Sequence, residues 1–360
     1  SADQLLRLID VLNPENESGR LTLIHRLGAT KIAEHLPRLI DAVRRLRDPF
    51  VLLCGYDDAG KLIARELCEE GIGVVVVDRV QERVDSVETD ELPMAVPALQ
   101  ANAMHPGTLL SAGVNHPACI ATLALTGDDA ANLSVSLNAK ILAPEHQVIC
   151  VAHHHEHQAA MARVGAEHLI NPHDTFAERL AQALVKPSLH VIYESLTTQT
   201  STPMAEPPSF PHGRWLVCGY GRFGRTVHRH LQQVGIDVTV VDLLAPAEGA
   251  PDHVKGSAID AATLRRARIE SAEAIVVATP NDTTNLAIAM LARELNPGLF
   301  MVLRQSERRN TPLFRAIGAD ITTLSGYIVA AEVLRIIRAP QLSYFLRLAR
   351  QQDEPWVRGL

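Results

Sequence analysis

The chain has 360 residues, 47% of them apolar, and a formal charge of −7. That length suggests about two domains with cores of their own. The acidic balance, with no basic run and no aromatic platform, excludes a nucleic-acid binder. The five cysteines (Cys54, Cys68, Cys119, Cys150, Cys218) form no C-x-x-C pair and read as buried, reduced thiols of a cytosolic protein. No apolar run reaches the ~18 residues of a bilayer crossing, and no signal peptide opens the chain.

Residues 1–47 read as a helical leader. Asp3 to Leu12 and Thr30 to Leu46 carry amphipathic patterns, with Pro14 and Gly19 between them. The stretches LNPENESGRLTLIHRLG and KIAEHLPRLIDAVRR resemble a short segment of class II DAHP synthases, and the resemblance covers about 45 residues. It implies a phosphate contact for Arg26. The metal-ligand segments of that family do not follow, so the leader is expected to act as an adaptor, without synthase activity.

From Phe50 the pattern changes to FVLLCGYDDAGKLIARELCEEGIGVVVVD, an apolar strand, a glycine turn, a helix and a second strand ending on Asp78. After a Pro/Ser/Thr-rich linker at 195–213, the same pattern returns as RWLVCGYGRFGRTVHRHLQQVGIDVTVVD. Cys54, Gly55, Gly60 and Asp78 fall on Cys218, Gly219, Gly224 and Asp242 at a constant offset of 164. Further on, TGDDAANL falls on TPNDTTNL at an offset of 153, and Pro187 falls on Pro340 inside matching helical patterns. The chain is therefore an internal duplication, each copy alternating strand and helix as βαβ units around a parallel sheet do. The expected fold is α/β: two tandem Rossmann-like, doubly wound parallel-sheet domains with helical crossover segments and an N-terminal helical leader. The expected bounds are 48–194 and 214–352, with a tail at 353–360.

The second copy carries a full G-x-G-x-x-G in Gly219-Tyr220-Gly221-Arg222-Phe223-Gly224, between strand and helix, with Asp242 placed 23 residues after Gly219. In that context the first glycine makes the turn, the second admits a pyrophosphate and the third allows close helix–strand packing. The acid accepts from ribose hydroxyls. In the first copy Asp57 replaces the middle glycine, and its carboxylate is expected to repel a pyrophosphate.

CGYGRFG, Asp242, GSAID, VVATPNDTTNLAIAMLARELNP and FRAIGAD stand in an order similar to that of the RCK family, also called TrkA-N or KTN domains, which regulate potassium channels and transporters. The resemblance covers about 300 residues and implies the tandem cytosolic region of a prokaryotic ligand-gated potassium channel. It implies four chains assembling eight such domains into a ring below a potassium pore. That pore lies upstream in the same chain or in a separate subunit, and the protein sits in the cytoplasm at the inner face of the membrane. It further implies phosphate contacts from Arg222, adenine and ribose contacts near Ser257 and Thr279, and NAD or an adenine nucleotide (ADP, ATP or AMP) as ligand. Arg304, at the end of a strand, can offer a fork to phosphate.

A second candidate site is HHHEH at 153–157. On a helix His153 and His157 share a face, and with Glu156, or with His168 or His173, they form a set for a divalent cation such as Zn²⁺ or Ca²⁺. Asp128 and Asp129 read more simply as helix caps. Two rivals remain beside the channel reading: an NAD-dependent oxidoreductase, for which no catalytic pair stands outside the repeat, and a peripheral subunit of a Trk/Ktr-type transporter. The chain opens on Ser1, and two membrane helices upstream of it would favour the channel.

Overall fold

The computed structural model describes residues 39–189, 191–192, 210–244, 252–352 and 355–356. The first leader helix, most of the second, nearly all of the linker and most of the tail lie outside the described residues. The chain divides into two compact units, 1–171 and 172–360.

The first unit holds six parallel strands: β1 (Phe50–Cys54), β2 (Gly73–Asp78), β3 (Ala98–Gln100), β4 (Cys119–Ala124), β5 (Gln147–Val151) and β6 (His168–Ile170). They lie in the order β3-β2-β1-β4-β5-β6. Between them run α1 (Asp58–Glu69), α2 (Gln81–Thr89), α3 (Pro106–Ser111), α4 (Asp129–Leu142) and α5 (His155–Arg163). β1 and β2 are buried at every position because helices cover both faces, which is why they read as unbroken Val/Leu runs. The described end of the leader, a helix at residues 39–45, drives Leu39 and Val43 into this core beside Phe50 and Leu109. The last turn of the leader is thus part of the first domain.

The second unit repeats the order: β9 (His253–Lys255), β8 (Val238–Asp242), β7 (Trp215–Cys218), β10 (Ala274–Val277), β11 (Phe300–Gln305) and β12 (Ile321–Leu324). All pairs are parallel. Its helices are α6 (Pro172–Val185), α7 (Arg222–Gln233), α8 (Ala261–Arg266), α9 (Asp282–Leu295), α10 (Thr311–Ile317), α11 (Ser325–Arg338) and α12 (Pro340–Gln351). Both sheets show the 3-2-1-4-5-6 order of dinucleotide-binding folds, with a switch point beside the central strand where the connection reverses.

α6 belongs to the second unit. It follows β6 directly in the chain, yet its stripe Ala177, Leu180 and Leu184 fills one core with Trp215, Phe223, Val227 and Leu231 of the second unit. Asp174 near its start accepts from Arg229 of α7 at 2.6 Å. Glu332 of α11 pairs with Arg179 of α6 and with Arg335, the latter at 2.5 Å. The bends at Pro187 and Pro340 fall where the sequence put them: α6 ends at Val185 and a helical segment resumes at residue 187, while α11 ends at Arg338 and α12 starts on Pro340.

Candidate functional site

β7 is fully buried and ends at Cys218, so the chain must turn sharply to leave the sheet. Gly219 makes that turn at φ +98°, where a Cβ would also sit 3.1 Å from the backbone nitrogen of Thr279. Gly224 is placed so that a Cβ would lie 1.9 Å from the carbonyl oxygen of Gly219, which fixes the seating of α7 on the turn. Gly221 is the N-cap of α7 and brings no side chain to the first-turn N–H groups. A Cβ there would meet nothing within 4 Å. A helix N-terminus opened in this way favours an anion.

Asp242 closes the turn from the next strand. Its Oδ2 accepts the Tyr220 N–H at 2.6 Å and its Oδ1 the Leu244 N–H at 2.9 Å. A cavity of about 600 Å³ opens between these groups, at the carboxyl ends of β7, β8 and β10, which is the switch point of the sheet. Gly219, Tyr220, Gly221, Asp242, Ser257 and Thr279 line it. Leu243, Leu244 and Ile259 give it an apolar rim that is 65%, 75% and 56% exposed.

The other four residues of the expected set do not line this cavity. Phe223 is buried and packs on Phe176 of α6 at 5.5 Å between ring centres, and Gly224 is buried beneath the turn. Arg222 is exposed on the first turn of α7. Arg304 is half-buried, its guanidinium 5.5 Å from the centre of the Phe223 ring. Burial, then the charge of Arg222, holds its pKa below the usual value. Sequence reading missed Arg225 and Thr284. Arg225 lines the cavity and lies 6.0 Å from the centre of the Tyr220 ring. It stands four residues after Gly221, one helical turn on, and that spacing was the available signal.

The first copy builds the same turn and closes it differently. Gly55 and Gly60 repeat the tight contacts, with a Cβ at Gly60 2.4 Å from the Gly55 carbonyl oxygen. Asp57 caps α1: its Oδ1 accepts from the N–H groups of Ala59 at 3.0 Å and Gly60 at 3.2 Å. The carboxylate thus folds back onto the donors that a phosphate would use. Burial pushes the Asp57 carboxyl above its ordinary value. Tyr56 is fully buried and donates to Asp90 at 3.0 Å, while Lys61 pairs with the same acid at 3.0 Å. Asp78, equivalent to Asp242, accepts the Tyr56 N–H at 2.7 Å.

Repetition also explains Asp129. In the second copy Asp282 is buried and accepts the N–H groups of Ser306 and Glu307 at 2.7 and 3.0 Å, and the Asn310 amide at 2.8 Å. Asp129 accepts the N–H groups of His153 and His154 in the same way, at 3.0 and 2.9 Å. Three imidazoles gather round it: Nδ1 of His153 at 3.0 Å from Oδ1, and Nδ1 of His154 and His157 at 2.7 and 3.7 Å from Oδ2. Burial pushes the Asp129 carboxyl up, but hydrogen bonds from the His153 N–H and from both neighbouring imidazoles outweigh it and bring it down to about 2.

The cation set expected from sequence differs from the group of donor atoms that the described residues bring together. α5 starts at His155 because Asp129 holds the two preceding N–H groups, so His153 lies in the turn and not one helical turn before His157. The group whose donor atoms come together is Asp129, His154 and His157. Glu156 is exposed and outside it.

Two α/β units, each with a glycine turn and an acid at the switch point of the sheet, have the architecture of dinucleotide-binding folds. The TrkA-N domain model matches residues 51–172 and 215–324, more than half of the chain, and the chain belongs to that family, with two TrkA-N domains in tandem. The class-II DAHP synthetase family model matches residues 1–57. "Probable potassium channel protein 2" of Methanocaldococcus jannaschii is 28% identical over 153 residues, covering 39% of this chain and 44% of that protein. The chain thus spans less than half the length of that relative. Among solved structures, GsuK bound to ADP superposes with a TM-score of 0.61 at 20% identity, covering 89% of this chain and 80% of that one. The GsuK channel bound to NAD gives 0.64 at 17%, covering 92% and 72%. At those identities the likeness is one of fold. No helix among the described residues is long and apolar enough to cross a membrane.

Proposed function

We propose that this chain is the cytoplasmic, ligand-sensing region of a potassium channel, and that its second domain binds NAD or an adenine nucleotide. The observation that carries the reading is the asymmetry of the two glycine turns. In the first, Asp57 takes the N–H groups of Ala59 and Gly60; in the second, Gly221 brings no side chain to the helix start and lines a cavity that also holds Asp242. The apolar rim of Leu243, Leu244 and Ile259 suits the flat face of a base. Among the described residues no cation pairs with Asp242, and with no arginine next to it in sequence the acid favours an unphosphorylated ribose over NADP. Arg225 at the cavity wall, with Arg222 and Arg304 nearby, supplies positive charge for phosphates.

The activity is that of a switch and not an enzyme: a ligand that prefers one of two arrangements shifts the population toward it. Self-association into a ring and attachment to a potassium pore belong to the same proposal, supported by the tandem domains and by the likeness to GsuK over most of the chain. Calorimetric titration with NAD⁺, NADH, ADP, ATP and NADP⁺ tests it. Micromolar or tighter binding of NAD or an adenine nucleotide, abolished by both Gly221→Asp and Asp242→Ala, is expected. Absence of binding by the unaltered chain overturns it.

A further inference from the structure

The first domain also differs from the second around one buried carboxylate, and the difference is chemical. Asp129 and Asp282 occupy equivalent places and perform the same structural task on the following turn. In the second domain the remaining contact to the carboxylate comes from Asn310, a neutral amide at 2.8 Å that satisfies it. In the first domain the residue at that place is His157, whose Nδ1 is shielded from solvent but has no hydrogen-bond partner, standing 3.7 Å from Oδ2. Glu307 is likewise replaced by His154, whose Nδ1 touches the same oxygen at 2.7 Å. His154 and His157 lie three apart across the start of α5, which brings their rings to 5.9 Å centre to centre. A buried imidazole nitrogen left unpaired next to a carboxylate is costly unless a further group satisfies it.

We propose that Asp129, His154 and His157 form a site for a divalent transition metal of the Zn²⁺ class. The proposal stands apart from the nucleotide reading, since it rests on the other domain. Two imidazoles and one carboxylate make a donor set for Zn²⁺, Co²⁺ or Ni²⁺, whereas Ca²⁺ requires six to eight oxygens and finds one carboxylate here. Tetrahedral bonds of about 2.0–2.2 Å place neighbouring ligand atoms roughly 3.3–3.6 Å apart. The observed 2.7 and 3.7 Å bracket that spacing, so side-chain adjustments of about half an ångström or more complete the set. His153, at 3.0 Å from Oδ1, holds the other carboxylate oxygen and orients it, as groups behind metal ligands commonly do. Three protein ligands leave a fourth position open. Bound metal joins the start of α4 to the start of α5 and stiffens the carboxyl edge of the first sheet.

The test is titration of the full chain, stripped with chelator, with Zn²⁺ by calorimetry and with Co²⁺ by visible absorption. One tight equivalent is expected, with the intense bands of tetrahedral cobalt and no displacement by millimolar Ca²⁺. His157→Asn, which installs the side chain the second domain already carries, weakens that equivalent on the order of 10–100-fold. His155→Gln, at an exposed position bonded to Gln158, leaves it unchanged. A paired Glu307→His and Asn310→His variant adds a second equivalent in the other domain. Equal binding by the parent and His157→Asn overturns the proposal. So does an equal loss in His155→Gln, ready displacement by Ca²⁺, or no second equivalent in the paired variant.

Discussion

At the scale of single residues, positions 57 and 221 make opposite choices about the same helix start. Asp57 satisfies two N–H groups of α1, while Gly221 brings nothing to those of α7. An aspartate in place of glycine at an N-cap is worth a few tenths of a kcal/mol. Gly221→Asp should therefore lose the nucleotide while raising the melting temperature slightly, because its Cβ meets nothing within 4 Å. Separating binding from stability in one variant is the check. Gly224→Ala should behave differently: its Cβ collides with the Gly219 carbonyl, and overpacking of backbone costs about 1–3 kcal/mol, measurable by urea denaturation. His228 supplies a pH dependence. It is buried under Tyr220, its Nδ1 3.2 Å from the tyrosine hydroxyl, and burial holds its pKa below 6.5. A histidine with a lowered folded-state pKa contributes stability above its unfolded pKa and loses it as pH falls through 6.5 toward the folded value. The melting temperature should fall over that window, and His228→Gln should flatten this part of the fall.

At the scale of elements, the interior strands were legible and the sheet edges were not. β1, β2, β7 and β10 read directly because burial on both faces demands continuous apolar runs. β3, β6 and β9 have three residues each and β12 has four, with partly exposed positions, so no periodicity marks them. The start of α5 escaped for a related reason: what delays it to His155 is the carboxylate of Asp129, 24 residues earlier. α6 shows the same limit. Its helical pattern is plain in sequence, but the surface its stripe covers is not. Leu180→Ala, at a 4% exposed position in the second core, should cost about 2–5 kcal/mol and destabilise the second unit more than the first. Hydrogen exchange resolved by segment distinguishes the two units.

For the whole molecule the duplication predicts two sites and the residues predict one of each kind. Nucleotide should bind with a stoichiometry of one per chain, and at a hundred times its Kd it should stabilise the second unit by about 2.7 kcal/mol. Protection from hydrogen exchange should rise in β7, β8 and β10 and stay unchanged in β1, β2 and β4. Equal protection in both sheets would mean that Asp57 yields to a ligand after all.

By itself the sequence determined the duplication, the two parallel α/β domains, the glycine turn with its acid, and the loss of that turn's middle glycine in the first copy. These are local facts, carried by spacing along one stretch of chain, where backbone geometry leaves few alternatives. Tertiary structure decided the rest. It turned Asp57 inward as a cap, set Arg225 at the cavity in place of Arg222, joined α6 to the second core, and exchanged His153 and Glu156 for Asp129 and His154 beside His157. Each of those outcomes depends on groups far apart in sequence meeting in space, and hydrophobic patterning carries no record of which polar side chain will reach which partner.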